Sequence, residues 1–211
     1  MSVLTSKRTY KPADQRRQQI LDCALQAFAA RGYHDTSIAD VCSRAGIGRA
    51  TLYQYFTDKR DLLKALADRI TTRVTEAFKQ RPVLDIPSGF KPTEEQAIAF
   101  IEERFVPVLR AVFEDAATVR LVLRAGRGAD GVVDEILGRI DAVVLETMEV
   151  ELRQAMAAGV VRPLDERFVA RFFVGGMEKI LMMYLDEDRP IDVEAIAREA
   201  ALLEVCGIFS D

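Results

Sequence analysis

The chain has no tryptophan and a single histidine, His34. One histidine leaves no room for a multi-histidine metal centre, and no nucleophile or carboxylate constellation flanks it. The three cysteines, Cys23, Cys42 and Cys206, lie far apart and form no C-x-x-C pair, which argues against a disulfide framework. Each falls in a helical apolar pattern, so each is expected to be a small buried hydrophobe in a reducing cytoplasm. No run of about 18 apolar residues exists, so no membrane span is expected. Lys7, Arg8 and Lys11 are not followed by an apolar segment, so no secretory signal is expected either. Phosphate-binding and nucleophile-elbow motifs are missing, and Gly126, Gly128 and Gly131 follow no strand pattern. Neither catalysis nor a cofactor nor a metal is expected.

What is present is the composition of an ordinary globular protein: 211 residues, 49% hydrophobic and 29% charged. The net charge of −4 hides an asymmetry. Residues 1–60 hold ten Lys or Arg against five Asp or Glu, whereas the remainder holds 19 against 28. A basic head joined to an acidic body points to polyanion binding by the head alone.

Apolar positions recur at helical spacing almost throughout, and no alternating strand pattern is found. The expected fold is all-α with about nine helices. A first helix is expected from about Pro12 to Arg31, with Gly32 as its C-terminal cap. Ser37 and Asp40 form a near capping box for a second helix that buries Ile38, Val41, Cys42 and Ala45. Gly46 closes that helix, and a third starts within about three residues, burying Ile47, Leu52 and Phe56. A long helix restarts at Thr57-Asp58-Lys59 and runs toward Phe78. Three prolines between Arg81 and Pro92 demand a loop, and five further helical stretches follow. The division expected is a head over residues 1–58 and a helical domain over 59–211.

Two helices joined by a short Gly-containing turn form a helix-turn-helix, whose second helix can enter the DNA major groove. Here that helix would present Arg49, Thr51, Tyr53, Gln54 and Tyr55, residues that hydrogen-bond or stack, where an ordinary amphipathic helix carries Glu and Lys. Arg49 suits a bidentate contact to guanine or a phosphate contact; Gln54 suits adenine or phosphate. Thr51 can donate to phosphate or meet a thymine methyl, and the two tyrosines suit sugar and phosphate. Lys59 stands near a helix N-terminus, which already favours phosphate. Lys7, Arg8 and Lys11 form a small arm that could add contacts.

The stretch from Arg17 to Leu66 resembles the TetR family of bacterial transcriptional regulators. The resemblance is carried by Ile20-Leu21-Asp22-Cys23-Ala24, Phe28, Arg31-Gly32-Tyr33, Thr36-Ser37-Ile38 with Val41, Ala45-Gly46-Ile47, Thr51-Leu52-Tyr53-Gln54-Tyr55-Phe56 and Lys59. It implies about nine helices, binding to double-stranded DNA as a homodimer, and a small-molecule effector held in the C-terminal domain. By position, Arg49, Ala50, Thr51, Tyr53, Gln54 and Tyr55 match the family's recognition helix. Ser37 matches a phosphate contact at a helix start, and Lys59 a backbone clamp. The family favours repression, with release from a palindromic operator by the effector.

Two copies about 34–36 Å apart would read a palindrome, so dimerisation is expected. Gly175 and Gly176 inside a helix suggest close approach of a partner backbone, and Ile196, Ala200 and Leu203, with Ile208, suggest an apolar face on the last helix. Phe105, Leu109, Phe113, Leu121, Met148, Phe173 and Met177 are expected to line an adaptable pocket for an apolar or amphipathic effector. Arg120, Arg124 and Arg127 are expected to be solvated or ion-paired, with an acidic ligand group as the other reading. The rival reading of the chain is a structural DNA-binding protein that recruits a protein partner without a small ligand.

Overall fold

The structure is a computed structural model that describes residues 12–87, 89–126, 131–187 and 190–208. These residues form nine helices and no β-strand. They are α1 (Ala13–Arg31), α2 (Ile38–Ala45), α3 (Arg49–Leu52), α4 (Lys59–Lys79), α5 (Glu94–Phe113), α6 (Ala116–Gly126), α7 (Gly131–Ala157), α8 (Glu166–Asp186) and α9 (Val193–Ile208). The basic arm of Lys7, Arg8 and Lys11, together with Arg127, lies outside the described residues.

The chain divides into two compact units, residues 1–66 and 67–211. The first therefore runs eight residues past the boundary at 58 expected from the sequence. The first two turns of α4 bury Leu62, Leu63 and Leu66 completely, so they belong to the core of the first unit. In that unit α1 packs on α2 and α2 on α3. Ile20, Leu21, Phe28, Val41, Leu52 and Phe56 supply its core, while Ile38 and Ile47 are half-buried. Thr36 is buried but satisfied, donating to the carbonyls of Ala27 at 3.2 Å and Gly32 at 2.7 Å. Gln19 bridges α1 to the carbonyl of Ala45 at 3.3 Å.

In the second unit α5 packs on α9, α7 on α8, and α6 on α5, α7 and α8. Ile70 and Val74 of α4 join Val112, Val119 and Leu185 in one apolar cluster. Thr93 caps α5 through a capping box with Gln96, and Asp165 caps α8 by accepting from Arg167 and Phe168. Pro107 lies inside α5. Cys42 is buried and Cys23 half-buried, but Cys206 is exposed, contrary to expectation. It sits on the outer side of α9, two residues from Glu204 and next to exposed Gly207, while Val205 fills the inner side. No described helix is long and apolar enough to cross a membrane.

Candidate functional site

The helix-turn-helix is built by two local devices. Ser37 accepts from the N–H of Asp40 at 3.2 Å, and the Asp40 carboxylate accepts from the N–H of Ser37 at 2.8 Å. The Ser37 hydroxyl also donates to that carboxylate at 2.6 Å, and Arg31 pairs with it at 2.7 Å. These bonds, the Ser37 hydroxyl first, hold the Asp40 carboxyl below the usual carboxylate range. The second device is Gly46, at φ 64° and ψ 36°, whose left-handed backbone ends α2 while its N–H and that of Ile47 bond back to Cys42. The chain then turns at extended Gly48 into α3.

The regular part of α3 is a single turn, Arg49–Leu52, shorter than the sequence pattern implies. Hydrogen bonds continue beyond it, from Tyr53 to Arg49, Tyr55 to Leu52 and Phe56 to Leu52, at 2.9–3.0 Å. Leu52 and Phe56, four residues apart, are buried together, which keeps the segment coiled through Phe56. Arg49, Ala50, Tyr53 and Gln54 are exposed, Tyr53 by 52%, whereas Thr51 and Tyr55 are half-buried. A guanidinium, an amide and a phenol thus stand together on one turn. Arg17, on α1, stacks its guanidinium 4.9 Å from the Phe56 ring centre and so braces this turn from behind.

Lys59 has a second occupation. Its ammonium donates to the carbonyls of Tyr33 at 2.8 Å and His34 at 2.9 Å and lies 4.6 Å from the Tyr33 ring centre. It ties the α1–α2 turn to the start of α4. An ammonium carries three N–H bonds, so these two carbonyls leave one more. His34 is an exposed turn residue that packs edge-on against Tyr33.

The second unit holds two apolar cavities of about 320 and 240 Å³. Phe105, Leu109, Met148, Phe173 and Met177 line the smaller one, as the sequence suggests. Phe113 and Leu121 do not. Phe113 packs into the core beside the cavity. Leu121 lies on the opposite side of α6 from Val119, Val122 and Leu123, which face the cavity. Both cavities share Ile101, Arg104, Met148, Glu151 and Glu204 as wall residues. This charged cluster is the part of the site that sequence reasoning missed. Arg104 is only 5% exposed; it donates to the carbonyl of Pro82 and to the Glu151 carboxylate, and stacks 5.3 Å from the Phe100 ring centre. Arg81 reaches the same Glu151 oxygen at 3.5 Å and lies over Phe78. Burial, reinforced by repulsion from Arg104, brings the Arg81 guanidinium down to about 10. Burial pushes the Glu204 carboxyl up to about 7, against the pull of Arg104 and with the push of Glu151.

Of the apolar face expected on α9, Ile196 and Ala200 are buried within this chain, because α9 packs on α5; Ile196 shares a core with Leu109. Leu203 is exposed, by 65%, and the side chain of Ile208 lies outside the described residues. Gly175 and Gly176 are exposed, and an added Cβ at either would meet nothing within 4 Å, so no contact inside this chain requires glycine there. On the same helix Phe168 and Phe172 are 70% and 67% exposed with their rings stacked, and Met183 is exposed beyond them. Arg120 and Arg124 both reach Asp186, at 3.7 and 2.7 Å.

Helix order, the capped turn and the exposed donors on α3 define a helix-turn-helix transcriptional regulator. Residues 20–66 match the family model described as bacterial regulatory proteins, tetR family, and the chain is similar to that family's regulators over this region. It is 23% identical over 196 residues to the fatty acid metabolism regulator protein of Bacillus subtilis, covering 91% of this chain and 95% of that one. It is 32% identical over 93 residues to the transcriptional activator FasR of Mycolicibacterium smegmatis, spanning 43% of this chain and 42% of that one. A protein from Saccharomonospora viridis, described as a transcriptional regulator and solved in complex with choline, has the same fold. Its TM-score is 0.67 at 18% identity, with 94% of this chain and all of that one covered.

Proposed function

We propose that this regulator is a cytoplasmic homodimer that represses transcription from a palindromic operator and is released by an apolar or amphipathic effector held in the second unit. The observation that carries the DNA reading is the exposed Arg49, Tyr53 and Gln54 on one turn behind the αL Gly46. Arg49 reads a base edge, Tyr53, Thr51 and Tyr55 hold sugar and phosphate, and Lys59 and Ser37 position the backbone. For Ser37 this means exchanging its bond to Asp40 for one to a phosphate oxygen. Two heads are needed because one turn reads only a few base pairs. The exposed Phe168, Phe172 and Met183 of α8, flanking Gly175 and Gly176, with Leu203 of α9, support an interface between two copies. The effector acts by linkage: it favours one arrangement of the long helices and thereby the spacing of the two heads. Helix α4 begins in the first unit and lines the smaller cavity with Ile70, Val74 and Phe78.

The relatives' names point to two effector chemistries, fatty acid metabolism and choline. The rival reading, a structural DNA binder without an effector, predicts cavities that take up nothing. Selection of bound duplexes from a randomised library at about 0.15 M salt tests the DNA reading. The expected result is a palindrome with half-sites about one turn, 34–36 Å, apart. Arg49→Ala should relax the preference at one position per half-site; equal loss on every sequence would reassign Arg49 to phosphate.

A further inference from the structure

The wall shared by the two chambers is charged, carrying Arg104, Glu151 and Glu204. An apolar effector site needs no buried guanidinium, and burying one is expensive unless it is paired. Here two guanidinium groups converge on one carboxylate, Glu151, at the place where the chambers of about 320 and 240 Å³ adjoin. The remaining acid on that wall, Glu204 from α9, has no hydrogen bond or ion pair to any described residue.

We propose that Arg81 and Arg104 form the head-group site for a carboxylate ligand whose hydrocarbon chain occupies the adjoining apolar chambers, so that the effector class is a monocarboxylic amphiphile. The inference rests on the effector reading above and deepens it.

Charge balance argues for an anion. The groups acting on Glu204 are Arg104, Glu151 and Arg81. Below about 7, where Glu204 holds its proton, two positive charges face one negative charge, and a ligand carboxylate restores neutrality. A cationic head group would meet two guanidinium groups and gain only Glu151, which is already engaged. Asp141 and Glu178 on the wall of the smaller cavity each have partners of their own, and Asp85 belongs to the loop side of the larger one. Geometry argues the same way. A guanidinium has five N–H donors in a planar fork, and those of Arg104 that serve Pro82 and Glu151 leave others for a planar carboxylate. A protonated Glu204 can donate a further hydrogen bond to it. The walls beyond the cluster, Phe90, Ile101, Met148 and Leu152 on one side and Val108, Phe173 and Met177 on the other, take the chain.

Titration calorimetry and thermal shift with decanoate, decanol and decylamine, on the full chain at pH 6 to 8.5, test this. Decanoate should bind at least about tenfold tighter than decanol, the equivalent of one charge-assisted hydrogen bond, and decylamine should not bind. Because the bound carboxylate favours protonated Glu204, wild-type affinity should fall as pH rises above about 7, and Glu204→Gln should bind at pH 8.5 as it does at pH 6. Arg104→Met should abolish decanoate binding; if it fails to fold, Arg81→Met, at the less buried partner, takes its place. Decylamine binding as tightly as decanoate, an unchanged pH slope in Glu204→Gln, or no binding of decanoate would each overturn the proposal. Adding the selected operator separates the two readings. Decanoate that binds without releasing DNA supports the head-group site and sinks the effector reading, whereas release by decylamine and not decanoate does the reverse.

Discussion

Glu204 shows what a single residue on the wrong face does. It follows Ala200 and Ala201 by one helical turn on the side of α9 that packs inward, so its carboxyl lies on the wall shared by the two cavities, where burial disfavours the charged form. Its ionisation is pushed from an ordinary 4.5 to about 7. Between these values the folded chain keeps a proton that the unfolded chain has lost. The stability contributed by the neutral acid is therefore complete below about 4.5 and gone once pH has risen through about 7. Glu204→Gln removes that dependence: it should melt several degrees above wild type at pH 8 and close to it at pH 4.5, on a scale of about 2–4 °C per kcal/mol. Melting curves at the two pH values check it, and an equal offset at both would mean that Glu204 does not titrate with folding. Tyr53, 52% exposed, is the opposite case. Tyr53→Ala should leave stability within about 0.5 kcal/mol and still weaken binding to all DNA sequences, as a phosphate-contacting residue would. Lys59→Ala should do both kinds of damage, since it unties Tyr33 and His34 as well as removing a charge.

At the scale of the element, the capped ends were legible and the regularity of the coil was not. Ser37-x-x-Asp40 and the Gly46 stop follow from side chains that can bond only to their own backbone neighbours. Gly46→Ala forces a Cβ into the left-handed region and should cost about 1–2 kcal/mol, although space around it is open. Gly48→Ala, in an extended conformation, should cost less. Chemical denaturation of both variants, with operator binding alongside, measures the difference; equal cost would mean that the αL turn is not what fixes α3. The brevity of α3 was not legible, because Leu52 and Phe56 need only lie on one side of a coil, whether its bonds run to the third or fourth residue. The pocket line was half legible for a related reason. Apolar residues mark the inward side of α5, α6 and α8, but only packing decides which of them meet a neighbour and which meet a void. Phe113 and Leu121 met neighbours. The charged wall could have been found by noticing that Arg104, Glu151 and Glu204 each fall on an apolar stripe, three residues after Ile101, Met148 and Ala201.

At the scale of the whole molecule, α8 carries a charged side with Arg167, Arg171 and Lys179, and beside it more apolar surface than one chain covers, Phe168, Phe172 and Met183 staying exposed. Within one chain only part of it is covered. Phe172→Glu should convert the proposed dimer to monomer and abolish binding to a palindromic operator while each unit stays folded. Sedimentation velocity and binding to full and half sites check this; an unchanged dimer would remove α8 from the interface.

Periodicity, caps and the Gly46 turn determined by themselves that the described residues form an all-α fold, where most of its helices begin and end, and that α2 and α3 form a helix-turn-helix, because these depend on neighbours within about four positions. Only the tertiary structure decided that the first unit extends to Leu66, that Ile196 and Ala200 face inward while Phe168 and Phe172 do not, and that Arg81, Arg104, Glu151 and Glu204 meet between two chambers. Those four come from the loop after α4 and from α5, α7 and α9, up to 123 residues apart, and what brings them together is helix packing.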